Sequence, residues 1–299
     1  MAAALVLLGS APLPVATTAQ TTNPACPDGT LRFGVEPYED ASLLAPAYQP
    51  LSEALGASIG CQVELDITTN YTAEIEAMRN RKLDIAEFGP LAYVFAQKLA
   101  NAELVATFSD QSGQPATYTA TIVTYPGSGI TDIGQLGGHS FAYSDPASTS
   151  GHLYPAFALK SNGIDPDTGV QAVFAGSHTA SFEALRNHKV DAGELNSDRI
   201  AAATLAGEYS PLQFVTLWES APIPQDPITL RGDLPADAKQ KIKQALLEFD
   251  FSTLSPDVQK MFSADVGMSG RHLVADDDAA FDQIRSLVST LNVDLANLS

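Results

Sequence analysis

Strands and helices alternate along this chain, and that alternation is the feature that most constrains its fold. Strands are predicted at 31–35, 62–67 and 83–88: the first is a short apolar run, and polar and apolar residues alternate along the second. Between them, 43–55 and 72–81 carry apolar residues at the spacing of one helix face. A βαβαβ order of this kind predicts a parallel sheet that is covered by helices on both faces.

A second alternating block follows the first. An extended segment at 117–124 leads into it, and another at 228–231 leads out of it. The helices predicted at 235–249, 256–262 and 277–291 have no strands of their own, so we expect them to return to the first block. The chain is therefore expected to form two lobes that are connected by two crossover segments.

The predicted fold is a two-lobe α/β protein in which each lobe is a mixed, mostly parallel sheet with flanking helices. Lobe 1 is expected to combine 26–118 with 230–299, and lobe 2 is expected to comprise 119–229. The crossover segments would act as a hinge, and the cleft between the lobes is where a small ligand is expected to bind.

The N-terminus has the pattern of an export signal. Residues 2–8 are apolar, 9–14 contain Gly and Pro, and small residues precede a cleavage position near Ala19. A signal peptide at 1–19 and a periplasmic location are therefore expected. The basic start of such a signal is missing, which leaves open that the true start lies upstream. No apolar run approaches the length that spans a membrane.

Cys26 and Cys61 are the two cysteines of the sequence. An exported chain with two cysteines most simply forms one disulfide. Each cysteine precedes a predicted strand, and neighbouring parallel strands would bring the two together. The alternative is a pair of separate buried thiols.

The composition limits the partners that this chain can have. Its formal net charge is −19, so nothing would neutralise the phosphates of a nucleic-acid backbone, and nucleic-acid binding is excluded. Most of the acidity is expected to lie on a solvated surface. If such a chain binds a small anion, it must use neutral donors that are placed locally.

The segment 145–152, Asp-Pro-Ala-Ser-Thr-Ser-Gly-His, supplies such donors. It lies where a strand predicted at 140–143 turns into a helix predicted at 149–160. The first N–H groups of a helix have no partner within it, and the helix dipole is positive there. Three hydroxyls beside these N–H groups would cradle an oxyanion, and Gly151 would let a ligand approach the backbone. The alternative is an ordinary N-cap, for which one hydroxyl suffices.

A catalytic interpretation of this segment is weaker. Ser148 and His152 are four residues apart with Asp145 nearby, but no G-x-S-x-G sequence accompanies them. The histidines show no metal-binding spacing, so neither a metal nor a cofactor is expected. Glu36 and Tyr38 follow the first strand and are directed at the cleft, and whether they touch a ligand stays open.

Several segments together carry a resemblance to a known family. They are 31–35, 71–78, 83–90, 145–155, 175–178, 190–192 and 223–228, and the Ser-Thr-Ser-Gly run after Asp-Pro is the most specific of them. In these segments the chain resembles the PhnD-like periplasmic phosphonate-binding proteins of ABC importers, within the type II periplasmic binding proteins. The resemblance implies a receptor that captures a phosphonate and delivers it to a permease with its ATPase subunits.

The resemblance also implies which residues hold the ligand. The phosphonate would be bound by Tyr71, Ser148, Thr149, Ser150, Gly151 and His178. Phe88, with Gly89, would line the cleft where other members carry an aromatic residue. Ser177 precedes His178, and which of the two contacts the phosphonate stays open.

Two acidic residues match the positions that hold the ligand ammonium in aminoalkylphosphonate binders. They are Asp198 and Asp226, and the first is commonly Glu in that family. Two carboxylates beside a phosphonate dianion would repel it, and a ligand that carries its own ammonium removes the conflict. The alternatives are that Asp198 caps a helix and that Asp226 is a turn residue.

The functional hypothesis is a monomeric, non-enzymatic receptor for 2-aminoethylphosphonate or a related aminoalkylphosphonate. A receptor for phosphite, phosphate or a simple alkylphosphonate is the alternative, and the aspartate pair counts against it. An exported enzyme that acts on phosphorus compounds would need a base, a metal or an activated nucleophile that the sequence does not display. A sensory lobe of a kinase is disfavoured because no membrane segment is found.

Overall fold

The computed structural model of the chain describes residues 26, 29–256, 258–259, 262 and 272–297. The predicted signal at 1–19 lies outside the described residues, and the predicted helix at 256–262 lies partly outside them. Among the described residues, no helix has both the length and the apolar character needed to cross a membrane.

The first lobe is built on a six-stranded sheet. In spatial order its strands are β13 (Leu273–Val274), β4 (Glu103–Phe108), β12 (Pro227–Leu230), β3 (Ile85–Glu87), β1 (Thr30–Val35) and β2 (Gln62–Ile67). β1 runs parallel to β2 and β3, whereas β12 runs antiparallel to β3 and β4. The sheet is therefore mixed, with the predicted βαβαβ unit at its parallel end.

Among the described residues, five α-helices belong to this lobe. They are α1 (Ala41–Ile59), α2 (Tyr71–Arg79), α3 (Pro90–Ala100), α7 (Ala236–Leu247) and α8 (Asp282–Leu291). The C-terminal helices return here as the pattern predicted: α7 packs on α1 and β4, and α8 packs on α3. Phe281, just before α8, meets the ring of Tyr93 edge to face with 4.9 Å between the centroids.

The second lobe is built on a five-stranded sheet. In spatial order its strands are β10 (Val215–Glu219), β6 (Ala120–Thr124), β9 (Ala192–Asn196), β7 (Ser140–Tyr143) and β8 (Gln171–Phe174). Its helices are α4 (Tyr154–Ser161), α5 (His178–Arg186) and α6 (Ser197–Leu205). β7 is parallel to β8 and β9, and β6 is antiparallel to β9 and β10, so this sheet is also mixed.

The lobes are connected by a short antiparallel pair of strands, β5 (Thr117–Tyr118) and β11 (Ile223–Pro224). The segment predicted as one strand at 117–124 is therefore two strands, divided at Thr119. The crossover predicted at 228–231 is corrected: β12 belongs to the six-stranded sheet, because it pairs with β3 and β4, and Ile228 and Leu230 are fully buried there. The predicted second lobe, 119–229, thus includes the first residues of a strand of the other sheet.

β4 was not predicted from the sequence. Helix α3 ends at Asn101, which has the left-handed φ of 52°, and β4 begins at Glu103. With so short a connection, the apolar residues of β4 look like a continuation of the helix.

The predicted disulfide is confirmed: β1 and β2 pair in parallel, and Cys26 bonds to Cys61 with 6.2 Å between their Cα atoms.

Candidate ligand-binding site

A small cavity of about 60 Å³ lies between the lobes. Residues from several chain segments line it where they follow parallel strands: Glu36 after β1, Gly89 after β3, Ser148 after β7 and His178 after β8. Crevices at the carboxyl ends of parallel strands are the usual ligand sites of α/β folds. The fold therefore puts the cavity where the sequence predicted a cleft.

The Ser-Thr-Ser run forms one wall of this cavity. Ser148, Thr149 and Ser150 all line it, and each is 2% exposed. The oxygen of Ser148 accepts the N–H of Gly151 at 3.1 Å, and that of Thr149 accepts the N–H of Leu91 at 2.8 Å. Since backbone donors already occupy these oxygens, the hydroxyl protons of Ser148 and Thr149 are left to donate to an anion.

The helix predicted at 149–160 differs in its first turn. Residues Thr149–Leu153 form a π-helical turn that Ser148 caps, and the α-helix α4 begins at Tyr154. Single π-turns of this kind are frequent at functional sites. Ser148 thus acts as the N-cap of this turn, and it lines the cavity together with Thr149 and Ser150.

Gly151 does not line the cavity, so the expected reason for a glycine there is corrected. A Cβ on this residue would overlap the side chain of Ser144 and lie 2.9 Å from the oxygen of Ser148. The glycine is needed because the turn packs directly on Ser144. It acts on the cavity through the position of Ser148.

Tyr71 opens α2 and lines the cavity from the first lobe, where it is 1% exposed. Burial, followed by the neighbouring charges of Glu36, Asp145 and Asp226, raises the pKa of its phenol well above the usual value. The hydroxyl therefore stays protonated and can donate. The carboxylate of Asp145 accepts the backbone N–H of Tyr71, which joins α2 to the loop after β7.

Ser177 and His178 lie in different places in the structure. Ser177 caps α5 by accepting the N–H of Ala180 at 3.1 Å, whereas His178 lines the cavity. Its Nδ1 lies 2.9 Å from a carboxylate oxygen of Glu194, and its Nε2 lies 3.5 Å from the hydroxyl of Ser148. Glu194 was not identified from the sequence.

The cavity is also lined by a set of carboxylates, which we call the acidic wall. These carboxylates belong to Glu36, Glu39, Glu87, Asp198 and Asp226. Asp198 does not cap α6, because Asn196 fills that role and accepts the N–H of Arg199 at 2.6 Å. Instead, a carboxylate oxygen of Asp198 accepts the side-chain amide of Gln225 at 3.0 Å. Both predicted aspartates therefore reach the cavity.

Tyr118, on the connecting strand β5, lines the cavity near three of these carboxylates. Burial and the charges of Asp226, Asp198 and Glu36 raise the pKa of its phenol well above the usual value, against a hydrogen bond to Ser150. The three carboxylates thus lie near one hydroxyl that also forms a hydrogen bond with Ser150. Tyr118 was not predicted as a cavity residue. In the sequence, its place in the segment expected to connect the lobes is the feature that could have indicated it.

Arg199 is the one Lys or Arg among the described residues that line the cavity. Its guanidinium lies 3.4 Å from Glu39 and 3.3 Å from Glu208. These two carboxylates balance its charge, so it contributes little net positive potential to the cavity. No group of three or more His, Cys, Asp or Glu in the described part of the chain is arranged to hold a metal ion.

Two further residues lie away from the cavity. Phe88 was expected to line the cleft, but its ring is fully buried in the apolar cluster around Tyr71. Its neighbour Gly89 does line the cavity, as expected. His152 packs on the loop: its Nδ1 lies 2.6 Å from the carbonyl of Pro146, and its ring meets Tyr143 edge to face.

Comparison with known proteins extends these observations. The profile of a family described as ABC transporter, phosphonate, periplasmic substrate-binding protein matches residues 33–279. The phosphate-import protein PhnD of Mycolicibacterium smegmatis is 29% identical over 253 residues, which are 81% of this chain and 78% of that protein. The phosphonates-binding periplasmic protein of Escherichia coli is 27% identical over 224 residues, which are 73% of this chain and 66% of that protein.

The fold is shared with solved structures. A binding protein component of an ABC phosphonate transporter from Pseudomonas aeruginosa superposes with a TM-score of 0.76 at 26% identity, covering 88% of this chain and 86% of that one. The architecture is that of the type II periplasmic binding proteins. The chain belongs to the family of periplasmic substrate-binding proteins of phosphonate ABC transporters.

Proposed function

We propose that this protein captures 2-aminoethylphosphonate, or a related aminoalkylphosphonate, in the periplasm and delivers it as a monomer to an ABC permease. The observation that carries the proposal is the polarity of the cavity. The hydroxyls of the Ser-Thr-Ser run and His178, which we call the anion wall, line the same cavity as the carboxylates of Asp198 and Asp226. A ligand with a phosphonate at one end and an ammonium at the other complements both walls.

Charge balance supports this choice over an anion without an amine. Like charges a few ångströms apart in a partly dry cavity repel strongly unless a counter-charge intervenes. A ligand ammonium would make charge-assisted hydrogen bonds to the carboxylates, which are among the stronger polar contacts in proteins. Plain phosphate or methylphosphonate would leave the acidic wall facing its negative charge.

A second candidate is a receptor for phosphate, phosphite or a simple alkylphosphonate. It is favoured by the similarity to a relative described as a phosphate-import protein. It would require the acidic wall to be neutralised by protons rather than by the ligand. Glu36 is suited to this, because burial, Asp226, Glu74 and Asp145 raise the pKa of its carboxyl well above the usual value.

Calorimetric titration of the ligand-stripped protein separates the two candidates. The ligands are 2-aminoethylphosphonate, methylphosphonate, phosphite and phosphate, applied to wild type, Asp226→Asn and the exposed control Asp237→Asn. We expect wild type and the control to prefer 2-aminoethylphosphonate, and Asp226→Asn to lose about 10- to 100-fold of that preference. Equal or tighter binding of the ligands without an amine would establish the second candidate instead.

A further inference from the structure

A buried glutamate behind the cavity is connected to the anion wall through a histidine. Glu194, on β9, is 0% exposed and does not line the cavity. Both of its carboxylate oxygens lie within hydrogen-bond distance of His178 Nδ1, at 2.9 and 3.0 Å. The other ring nitrogen of His178, Nε2, lies 3.5 Å from the hydroxyl of Ser148. Three elements thus form one polar chain from the interior of the sheet to the cavity.

The charges around His178 favour its protonated form. Burial alone lowers the pKa of His178, but the carboxylates of Glu194, Glu39 and Asp226 outweigh burial and raise it above the usual value. The charged groups that face the ring from the neighbouring elements are Glu194 on β9, Glu39 after β1, Asp145 after β7, Asp226 before β12, and Arg199 on α6 beside Glu39. A carboxylate as deeply buried as Glu194 also needs a cationic partner.

The protonation state of His178 decides what the anion wall offers. With a neutral ring that donates from Nδ1 to Glu194, Nε2 is an acceptor and draws the hydroxyl proton of Ser148. An anion at this wall would then face the lone pair of His178 Nε2, which cannot donate a hydrogen bond to it. With a charged ring, Nε2 donates, and the hydroxyl of Ser148 is released to donate as well, since its oxygen already accepts the N–H of Gly151. One added proton therefore turns Nε2 from an acceptor into a donor and frees the hydroxyl proton of Ser148 for the anion.

We propose that Glu194 is a positioning residue that holds His178 as an imidazolium, so that His178 and Ser148 both donate to the oxyanion of the ligand. The inference rests on the proposed function, because it requires the anion to bind at this wall. The charged ring gives the cavity a charge-assisted N–H donor at Nε2, with Glu194 as its counter-ion. The affinity for a phosphonate then falls as the pH rises through the pKa of His178.

The arrangement also contains the residue types of a Ser–His–acid catalytic triad. In such a triad the histidine must be neutral in order to accept the serine proton, whereas here the surrounding carboxylates favour the charged ring. A nucleophilic Ser148 would therefore require a neutral His178, whereas the positioning role of Glu194 requires a protonated His178. Covalent labelling of Ser148 by a fluorophosphonate would overturn the positioning role.

The test is the isosteric variant Glu194→Gln in the mature chain, with 2-aminoethylphosphonate as the probe. The amide oxygen can still accept from Nδ1, but the charge is gone. We expect the affinity at neutral pH to fall about 10- to 100-fold. The pH at which affinity is lost should also move down relative to wild type. His178→Asn should weaken binding and remove the difference in pH profile between the Glu194 forms.

A matched control comes from the surface of the same lobe. His139 Nδ1 lies 3.2 Å from a carboxylate oxygen of Asp191, and both side chains are substantially exposed. Asp191→Asn removes a histidine–carboxylate pair in the same way, and we expect the affinity and its pH profile to stay at the wild-type values. The ligand's own ionisation is common to all variants, so it cancels in the comparison.

The outcomes separate the two proposals. If wild type binds none of the phosphonates, the proposed function fails. If wild type binds 2-aminoethylphosphonate and Glu194→Gln keeps both its affinity and its pH profile, only the role of Glu194 is overturned. Should the variant not fold, nitrogen NMR of the imidazole rings in wild type decides, with His178→Asn to assign the signal. A neutral His178 ring in the ligand complex at neutral pH would refute the proposal.

Discussion

Glu36 and Glu74 are two buried glutamates with carboxylate oxygens that lack hydrogen-bond partners among the described residues. One oxygen of Glu36 and both oxygens of Glu74 have none among the described residues. Burial is the largest cause that raises the pKa of each carboxyl, and neighbouring carboxylates add to it: Asp226 first for Glu36, and Glu87 first for Glu74. Each carboxyl therefore favours its neutral form, which limits the negative charge near the ligand.

Replacing Glu74 with leucine tests this at the level of one side chain. The folded-state pKa of Glu74 lies above the unfolded value, so the stability that its proton contributes is lost as the pH rises through the folded pKa. Glu74→Leu removes that loss and two unpaired polar atoms. We expect the free energy of unfolding in urea to rise by about 1–3 kcal/mol, with a larger gain at neutral pH than at about pH 5.

The control for this change lies on the same helix. Glu76 is 39% exposed and pairs with Arg79, so Glu76→Gln should alter the free energy of unfolding by less than about 0.5 kcal/mol. A gain for Glu74→Leu that is equal at both pH values would show that Glu74 is not the titrating group inferred here.

At the scale of elements, the turn Thr149–Leu153 connects the two lobes at the cavity. Thr149 accepts the N–H of Leu91 from the first turn of α3, and Ser148 accepts that of Gly151 within its own turn. The turn is therefore positioned from both sides. A change that displaces the backbone of this turn should therefore also displace the side chains of the anion wall.

Gly151→Ala is such a change. Its added Cβ would overlap the side chain of Ser144 and push on Ser148, so the turn must move. We expect a loss of about 1–3 kcal/mol in the free energy of unfolding and at least about a tenfold loss of phosphonate affinity. Chemical denaturation and calorimetry measure the two effects.

Gly137→Ala is the matched control for this variant. Gly137 has a φ of −54°, and a Cβ there would meet nothing within 4 Å. Alanine at that position should leave affinity unchanged and should not destabilise the protein. If Gly151→Ala behaved like Gly137→Ala, the turn would be more tolerant than its packing against Ser144 indicates.

Local patterns predicted some elements well and failed where tertiary contacts decide. The strand 62–67 was predicted with its observed bounds, because polar and apolar residues alternate along it. The π-helical turn was not predicted, because its form depends on tertiary contacts. Ser144 packs on Gly151, and the N–H of Leu91, which is distant in sequence, donates to Thr149. Glu194 was missed because β9 is buried throughout, and a charged residue in such a strand has meaning only with its partner in place.

At the scale of the whole molecule, the sequence predicted the lobes and the cleft but not the balance of charge within it. Asp198 and Asp226 were expected there, whereas Glu39 and Glu87 were not. Glu39 and Glu87 each lie near the end of a strand. The chain has a net charge of −19, and its sequence does not show which of the many acidic side chains point into the cavity. That choice depends on partners such as Arg199 for Glu39 and Tyr48 for Glu87.

The disulfide should stabilise the molecule without affecting the ligand. Cys26 and Cys61 are joined across a sequence separation of 35 beside the starts of β1 and β2, whereas the cavity lies at the other ends of the strands. A loop of about this length confers about 3–4 kcal/mol in the chain-entropy description. We expect the double variant Cys26→Ser/Cys61→Ser to lose an amount of this order in urea unfolding, with its phosphonate Kd unchanged. Reduced wild type is the control, because it should unfold like the variant. A weakened Kd in a variant that is still folded would mean instead that the bond helps to position Glu36 and Tyr71, the cavity residues that follow these two strands.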